Sequence, residues 1–191
     1  MLHTLSRNIA DFLLSKNCFE KDNLNIYVYG TELVISSLIG AVLIFTLSFI
    51  TNNLLTGLLF YISFNTLRSY TGGLHCNTYL KCNITFVCVF FICLTAEYIT
   101  NDYMLSAMTA VTLMMILVLA PVENPNKPIE EKDKKKFKLI SLLIYVLHIT
   151  AYFVLKHLEI DADIIIITDF ISSILMIIGI IKNRRCNYEN D

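Results

Sequence analysis

Leu33-Val-Ile-Ser-Ser-Leu-Ile-Gly-Ala-Val-Leu-Ile-Phe-Thr-Leu-Ser-Phe-Ile50 carries no charge, and its only polar side chains are hydroxyls. A straight helix crosses the hydrocarbon core with roughly 20 apolar residues, about 17 at the lower end. This run therefore predicts a membrane-spanning helix. Five further apolar runs follow it: Leu54–Leu67, Ile84–Ile99, Met104–Ala120, Leu139–Leu155 and Ile164–Ile181. The last three are long enough to span. Leu54–Leu67 and Ile84–Ile99 are short, and either span with help from flanking residues or bury part of their length in protein. Composition agrees: of 191 residues 55% are hydrophobic and only 16% charged, with a mean hydropathy of +0.62. Fifteen Lys and Arg against sixteen Asp and Glu leave a net charge of −1. That excludes the basic field a nucleic-acid binder needs. Six Cys in a chain of this kind read as thiols rather than a disulfide scaffold.

The connectors predict orientation. Asn52–Asn53, Thr100–Tyr103 and Lys156–Asp163 form one set. The N-terminus, Arg68–Asn83, Pro121–Lys138 and the C-terminal tail form the other, which holds every Lys and Arg except Lys156. The positive-inside rule makes the second set cytoplasmic. The expected architecture is an all-α integral membrane protein of one domain, residues 1–191, with six spans and both termini inside. Its parts are an amphipathic segment over 1–29, a cytoplasmic loop over 68–83 and a Pro/Lys-rich loop over 121–138. In the first of these, Leu2, Leu5, Ile9, Phe12 and Leu13 repeat at helical spacing between polar residues. Such a helix lies in the headgroup plane or packs on the protein's own cytoplasmic face. No cleavable signal peptide is evident, since Arg7, Asp11, Lys16 and Lys21 interrupt the first thirty residues.

The chemistry concentrates in Arg68-Ser-Tyr-Thr-Gly-Gly-Leu-His75-Cys76-Asn-Thr-Tyr-Leu-Lys-Cys82. Histidine is the residue whose charge can change near neutral pH, and a thiolate such as that of Cys82 is the useful nucleophile. An imidazole that takes the thiol proton and stays close makes a reactive cysteine. Seven residues along one helix is roughly 10 Å of rise, too far for that contact. Either a helix starts after His75 and the Gly72-Gly73 loop folds the histidine back over Cys82, or the pair meets across helices. The glycines favour the first arrangement. A structural histidine is the plainer alternative. A metal held by His75, Cys76 and Cys82 is another, although the spacing matches no common zinc pattern.

These residues carry a resemblance. Arg68-Ser-Tyr-Thr-Gly-Gly-Leu-His75, Cys82 seven residues on, and Ala120-Pro-Val-Glu-Asn-Pro-Asn-Lys-Pro128 look like the accessory gene regulator B (AgrB) family. Length, six apolar runs and the amphipathic N-terminus agree with it. That family comprises bacterial membrane cysteine peptidases that mature quorum-sensing peptides. The position after the histidine is commonly a small residue such as Ala, and here it is Cys76, a second thiol. The resemblance implies a multi-pass protein of the bacterial cell membrane with its active site on the cytoplasmic side. It implies endopeptidase removal of the charged C-terminal tail from an AgrD-like precursor peptide. His75 would then serve as base and acid and Cys82 as nucleophile. An acyl thioester follows, and the peptide's own Cys or Ser closes a thiolactone or lactone. No cofactor or metal is implied.

Other residues keep a functional and a plain reading side by side. Arg68 binds a substrate carboxylate or oxyanion, or simply anchors a span end. Lys134, Lys135 and Lys136 attract an acidic tail, or contact anionic lipid. Gly72 and Gly73 are architectural. Asn65, Glu32 and Glu123 are candidates for orienting His75. Asp169 and Glu97, inside apolar runs, are functional candidates by default, but pairing or reach to the interface accounts for them too. His148 reads as a buried interhelical hydrogen bond, and Cys88 and Cys93 as packing residues. Ser172-Ser173 and Gly40-Ala41 suit helix contacts, including those of a homodimer. The competing function is a small peptide transporter or channel with Asp169, Glu97 and His148 lining a path.

Overall fold

The computed structural model describes residues 2–16, 18, 20–74, 78–123 and 131–188. His75, Cys76, Pro125 and Pro128 lie outside them. Among the described residues the chain forms seven α-helices and no strand: α1 Leu2–Ser15, α2 Leu24–Ile50, α3 Leu54–Thr71, α4 Tyr79–Ile99, α5 Asp102–Leu119, α6 Glu131–His157 and α7 Asp163–Tyr188. Five of them, α2 and α4 to α7, are long and apolar enough to cross a membrane. The short run at Ile84–Ile99 gains a turn and a half from Tyr79-Leu-Lys-Cys-Asn and becomes one of the five. The other short run does not. α3 has 18 residues, but Thr56, Ser63, Asn65, Thr66 and Arg68 dilute it. It is held by protein: Phe60, Phe64 and Leu67 are buried. Phe60 packs on Phe86 and Phe90 of α4 with ring centroids 5.3 and 5.0 Å away.

α7 is the central helix, touching α3, α4, α5 and α6. Its N-terminal half, Ile164-Ile-Ile-Ile-Thr-Asp169, is buried on every face, as an all-round apolar helix in a bundle core should be. The outer helices show large apolar side chains instead, such as Val42, Phe49, Met114, Val118 and Leu147. In a protein of this composition that surface meets lipid tails.

Among the described residues, connectors of the same set meet one another. In one set Lys156 bonds Asp163 at 2.8 Å and lies 3.7 Å from Asp102. In the other, the segments after α3 and α5 and the second half of α7 meet. The N-terminal helix belongs to that second set and packs with its small residues inward. Ser6 and Ala10 are buried against α2, while Leu5, Ile9 and Phe12 face outward. The packing of α1 on the protein's own surface is therefore present. Its small side packs on protein, and its apolar side, with Leu5, Ile9 and Phe12, remains exposed.

Candidate functional site

α3 ends because Gly72 takes φ +73°, a left-handed conformation in which a Cβ is costly. The chain then runs extended through Gly73 and Leu74. One side of this strip pairs with the segment after α5. The Val122 N–H donates to the Thr71 carbonyl at 2.8 Å, and Gly72 and Val122 form an isolated parallel bridge. A methyl on Gly72 would stand 2.2 Å from the Val122 carbonyl oxygen. The other side lies on α7. Leu74 N–H donates to the Leu175 carbonyl at 3.1 Å, and a methyl on Gly179 would stand 2.7 Å from the Gly73 carbonyl carbon. The two glycines serve the backbone differently: at Gly72 the Val122 carbonyl leaves no room for a side chain, and at Gly73 a φ of +133° favours glycine although a methyl would meet only ordinary contacts.

Arg68, on the last turn of α3, donates from its guanidinium to the Leu74 carbonyl and lies 5.2 Å from the centroid of the Phe64 ring. It braces the strip, a role neither sequence reading of Arg68 named.

α4 begins after the strip. Thr78 is its N-cap, with Oγ1 accepting from the Lys81 N–H at 3.3 Å, the bond that satisfies an otherwise orphaned helical donor. Cys82 lies in the first turn, its N–H bonded to the Thr78 carbonyl at 3.1 Å, and is half-buried. The expected helix start after position 75 is thus present. The contact between His75 and Cys82 falls outside the described residues, as does the Cys76 alternative. Among the described residues no group of three His, Cys, Asp or Glu is placed to hold a metal.

The three candidates for orienting His75 each have partners among the described residues. Asn65 Nδ2 donates to the Tyr61 carbonyl at 2.8 Å. Glu123 pairs with Lys134 at 2.6 Å. Glu32 accepts from Tyr79 at 2.9 Å and meets His3 at 2.6 Å. Beside Val122 opens a cavity of about 510 Å³ lined by Glu123, Lys134, Lys135, Lys138 and Asn183. Asn183 Nδ2 donates to the Glu123 carbonyl at 2.6 Å and fixes that wall to α7. Lys136 is exposed and does not line the cavity; Lys138, one helical turn beyond Lys134, takes its place, its ammonium bonded to the Leu117 carbonyl.

Sequence reasoning missed Val122, Leu175 and Gly179, the surfaces that clamp the strip. The single glycine inside the apolar run of α7 was the one available signal. His148 does make the buried interhelical contact expected of it. Nδ1 lies 3.0 Å from both carboxylate oxygens of Asp169, and Nε2 lies 3.0 Å from Thr66 Oγ1. Cys93 is buried in the core, but Cys88 is exposed on the outer surface of α4 and packs no interior, because it lies on the face of α4 opposite Phe86, Val89 and Phe90.

The family model for Accessory gene regulator B matches residues 6–181. A putative AgrB-like protein of Clostridium beijerinckii is 28% identical over 98% of this chain and 96% of its own length. One from Clostridium perfringens is 26% identical over 78% of this chain and 74% of its own. The accessory gene regulator protein B of Staphylococcus intermedius is 25% identical over 63% and 65%. No solved structure matches significantly. With the clamped Gly-Gly strip and the helix start at Cys82 inside a match that runs nearly end to end, the chain belongs to the accessory gene regulator B family.

Proposed function

We propose that this chain is a membrane cysteine endopeptidase and cyclase of an accessory-gene-regulator quorum-sensing system, acting on an AgrD-like precursor peptide at the cytoplasmic face. The observation that carries the reading is the position of Cys82. It stands in the first turn of α4, downstream of a strip, Gly72–Leu74, that is held by two other segments. A helix N-terminus favours a thiolate over a thiol, and the Thr78 cap holds the backbone from which that thiolate projects.

His75 takes the Cys82 proton, and the sulfur adds to the carbonyl at the end of the signal segment. The C–N bond breaks, His75 returns the proton to the departing amine, and the tail leaves with a new N-terminus. His75, neutral again, then takes the proton from a Cys or Ser side chain within the bound peptide, whose sulfur or oxygen adds to the Cys82 thioester. The ring closes as a thiolactone or lactone, and the Cys82 thiolate is released. Thioester exchange costs little, so ring closure needs no nucleotide. Water would discard the acyl group, and a site at the membrane boundary helps exclude it.

The cavity beside Val122 suits the charged tail. Its lysines stand next to the Glu123 carboxylate and share a wall with the segment paired to Gly72. Arg68 supports the same reaction by holding the Leu74 carbonyl. The sorting of the Lys and Arg residues to one set of connectors supports cytoplasmic termini and a cytoplasmic site. A path lined by Asp169 and His148 finds little support, because the two are bonded to each other and to Thr66.

Mass spectrometry of a co-expressed precursor tests the proposal. Wild type and Cys76→Ala are expected to release the tail, and Cys82→Ala and His75→Ala to leave the precursor intact. Tail release by Cys82→Ala would refute the nucleophile assignment.

A further inference from the structure

Glu32 lies on α2, nearly enclosed, with 12% of its side chain exposed. Both carboxylate oxygens are engaged: Oε1 is 2.6 Å from His3 Nδ1 on α1, and Oε2 accepts from the Tyr79 hydroxyl at 2.9 Å on α4. One carboxylate thus joins three helices. Tyr79 is the first residue of α4, and Cys82 stands three residues on, on the same side of that turn. The first turn of a helix is its least secured part, because its N–H groups lack intrahelical acceptors. The Thr78 cap holds the backbone, and the bond from Tyr79 to Glu32 holds the turn against the rest of the protein. No step of the proposed reaction uses His3, Glu32 or Tyr79.

We infer that Glu32 is a positioning residue for the Cys82 chemistry: through Tyr79 it sets the turn that presents the thiol, and through His3 it ties that turn to the seating of the N-terminal helix. The inference rests on the reading of Cys82 as the nucleophile. Acyl transfer is sensitive to such placement, since a displacement of about 1 Å at the reacting atom can cost on the order of a hundredfold.

Iodoacetamide is the probe, applied to the full chain in lipid nanodiscs. Peptide-level mass spectrometry resolves alkylation of Cys82 from that of Cys18, which is exposed between α1 and α2 and serves as an internal reference. Tyr79→Phe and Glu32→Ala are expected to slow Cys82 alkylation about tenfold, with Cys18 unchanged, as befits loss of a hydrogen bond to a charged group. Glu32→Gln keeps an acceptor for Tyr79 and is expected to recover most of the rate. The double variant Glu32→Ala/Tyr79→Phe should be no slower than Glu32→Ala, because both remove one interaction. His3→Ala should slow the reaction about threefold, since His3 is largely exposed.

Wild-type alkylation rates in Tyr79→Phe and Glu32→Ala would overturn the inference. So would faster Cys82 alkylation with a lowered thermal midpoint, which marks a contact that only holds the fold together. Failure of the underlying reading shows separately, as tail release by Cys82→Ala in cells, whatever the alkylation rates.

Discussion

At the residue scale, Arg68 illustrates how a motif position acquires its role. Its charge and its place at a span end were legible in the sequence; its partner was not, because the Leu74 carbonyl reaches it only once the glycine strip turns back. Guanidinium geometry is what lets one side chain donate to that carbonyl while lying on the Phe64 ring. Arg68→Lys keeps the charge and loses the planar fork. It is expected to lower kcat for tail release about tenfold with KM within twofold, measured by quantifying released tail against precursor concentration. A rise in KM at constant kcat would instead mark a direct contact with substrate. The lysines on the cavity wall should behave the other way. Lys134→Glu together with Lys135→Glu should raise KM several-fold and leave kcat nearly unchanged, because charge at a rim steers binding more than chemistry.

At the element scale, the site exists because α7 and the segment after α5 leave a slot one backbone wide. Gly179 forms the floor of that slot. Gly179→Ala places a methyl 2.7 Å from the Gly73 carbonyl carbon. It is expected to destabilise the protein by about 1–3 kcal/mol, as overpacking does, and to slow tail release. Gly30 lies in α2 with nothing near its missing side chain. Gly30→Ala should be neutral or stabilise by up to about 1 kcal/mol through helix propensity. Thermal unfolding of both variants in one detergent checks the contrast. The start of α4 was anticipated from Gly72-Gly73. The slot was not, because its walls come from residues some fifty and a hundred positions downstream.

At the scale of the whole molecule, α3 is the anomaly. It carries the strip, yet it is not among the helices apolar enough to span, so protein contacts hold it. The aromatic cluster with α4 is one such contact. The other is the buried pair of His148 on α6 and Asp169 on α7, which reaches Thr66 on α3. Removing one partner of a buried pair leaves an uncompensated polar group. His148→Leu or Asp169→Leu is expected to cost about 3–5 kcal/mol, and the double variant less than the sum of the two. Thermal unfolding of the three variants checks this. Orientation is tested in intact cells with an impermeant maleimide. A cysteine placed at Asp161 should be labelled from outside, and Cys18 should not.

What the sequence determined by itself follows from local physics. Apolar run length dictates helices that suit a bilayer, and charge sorts the connectors into two sets. The glycine pair marks where α3 stops and allows a helix to start after His75, while the Thr78 cap that puts Cys82 in the first turn of α4 appears only in the structure. What only the tertiary structure decided is every relation between distant residues: the clamp of Val122 and Gly179 on the strip, the brace from Arg68 to Leu74, the substitution of Lys138 for Lys136 on the cavity wall, and the joining of His3 and Tyr79 at Glu32. Run length and connector charge act within a few residues of the chain. Hydrogen bonds and close packing act across space, and no spacing in the sequence encodes which helix faces will meet.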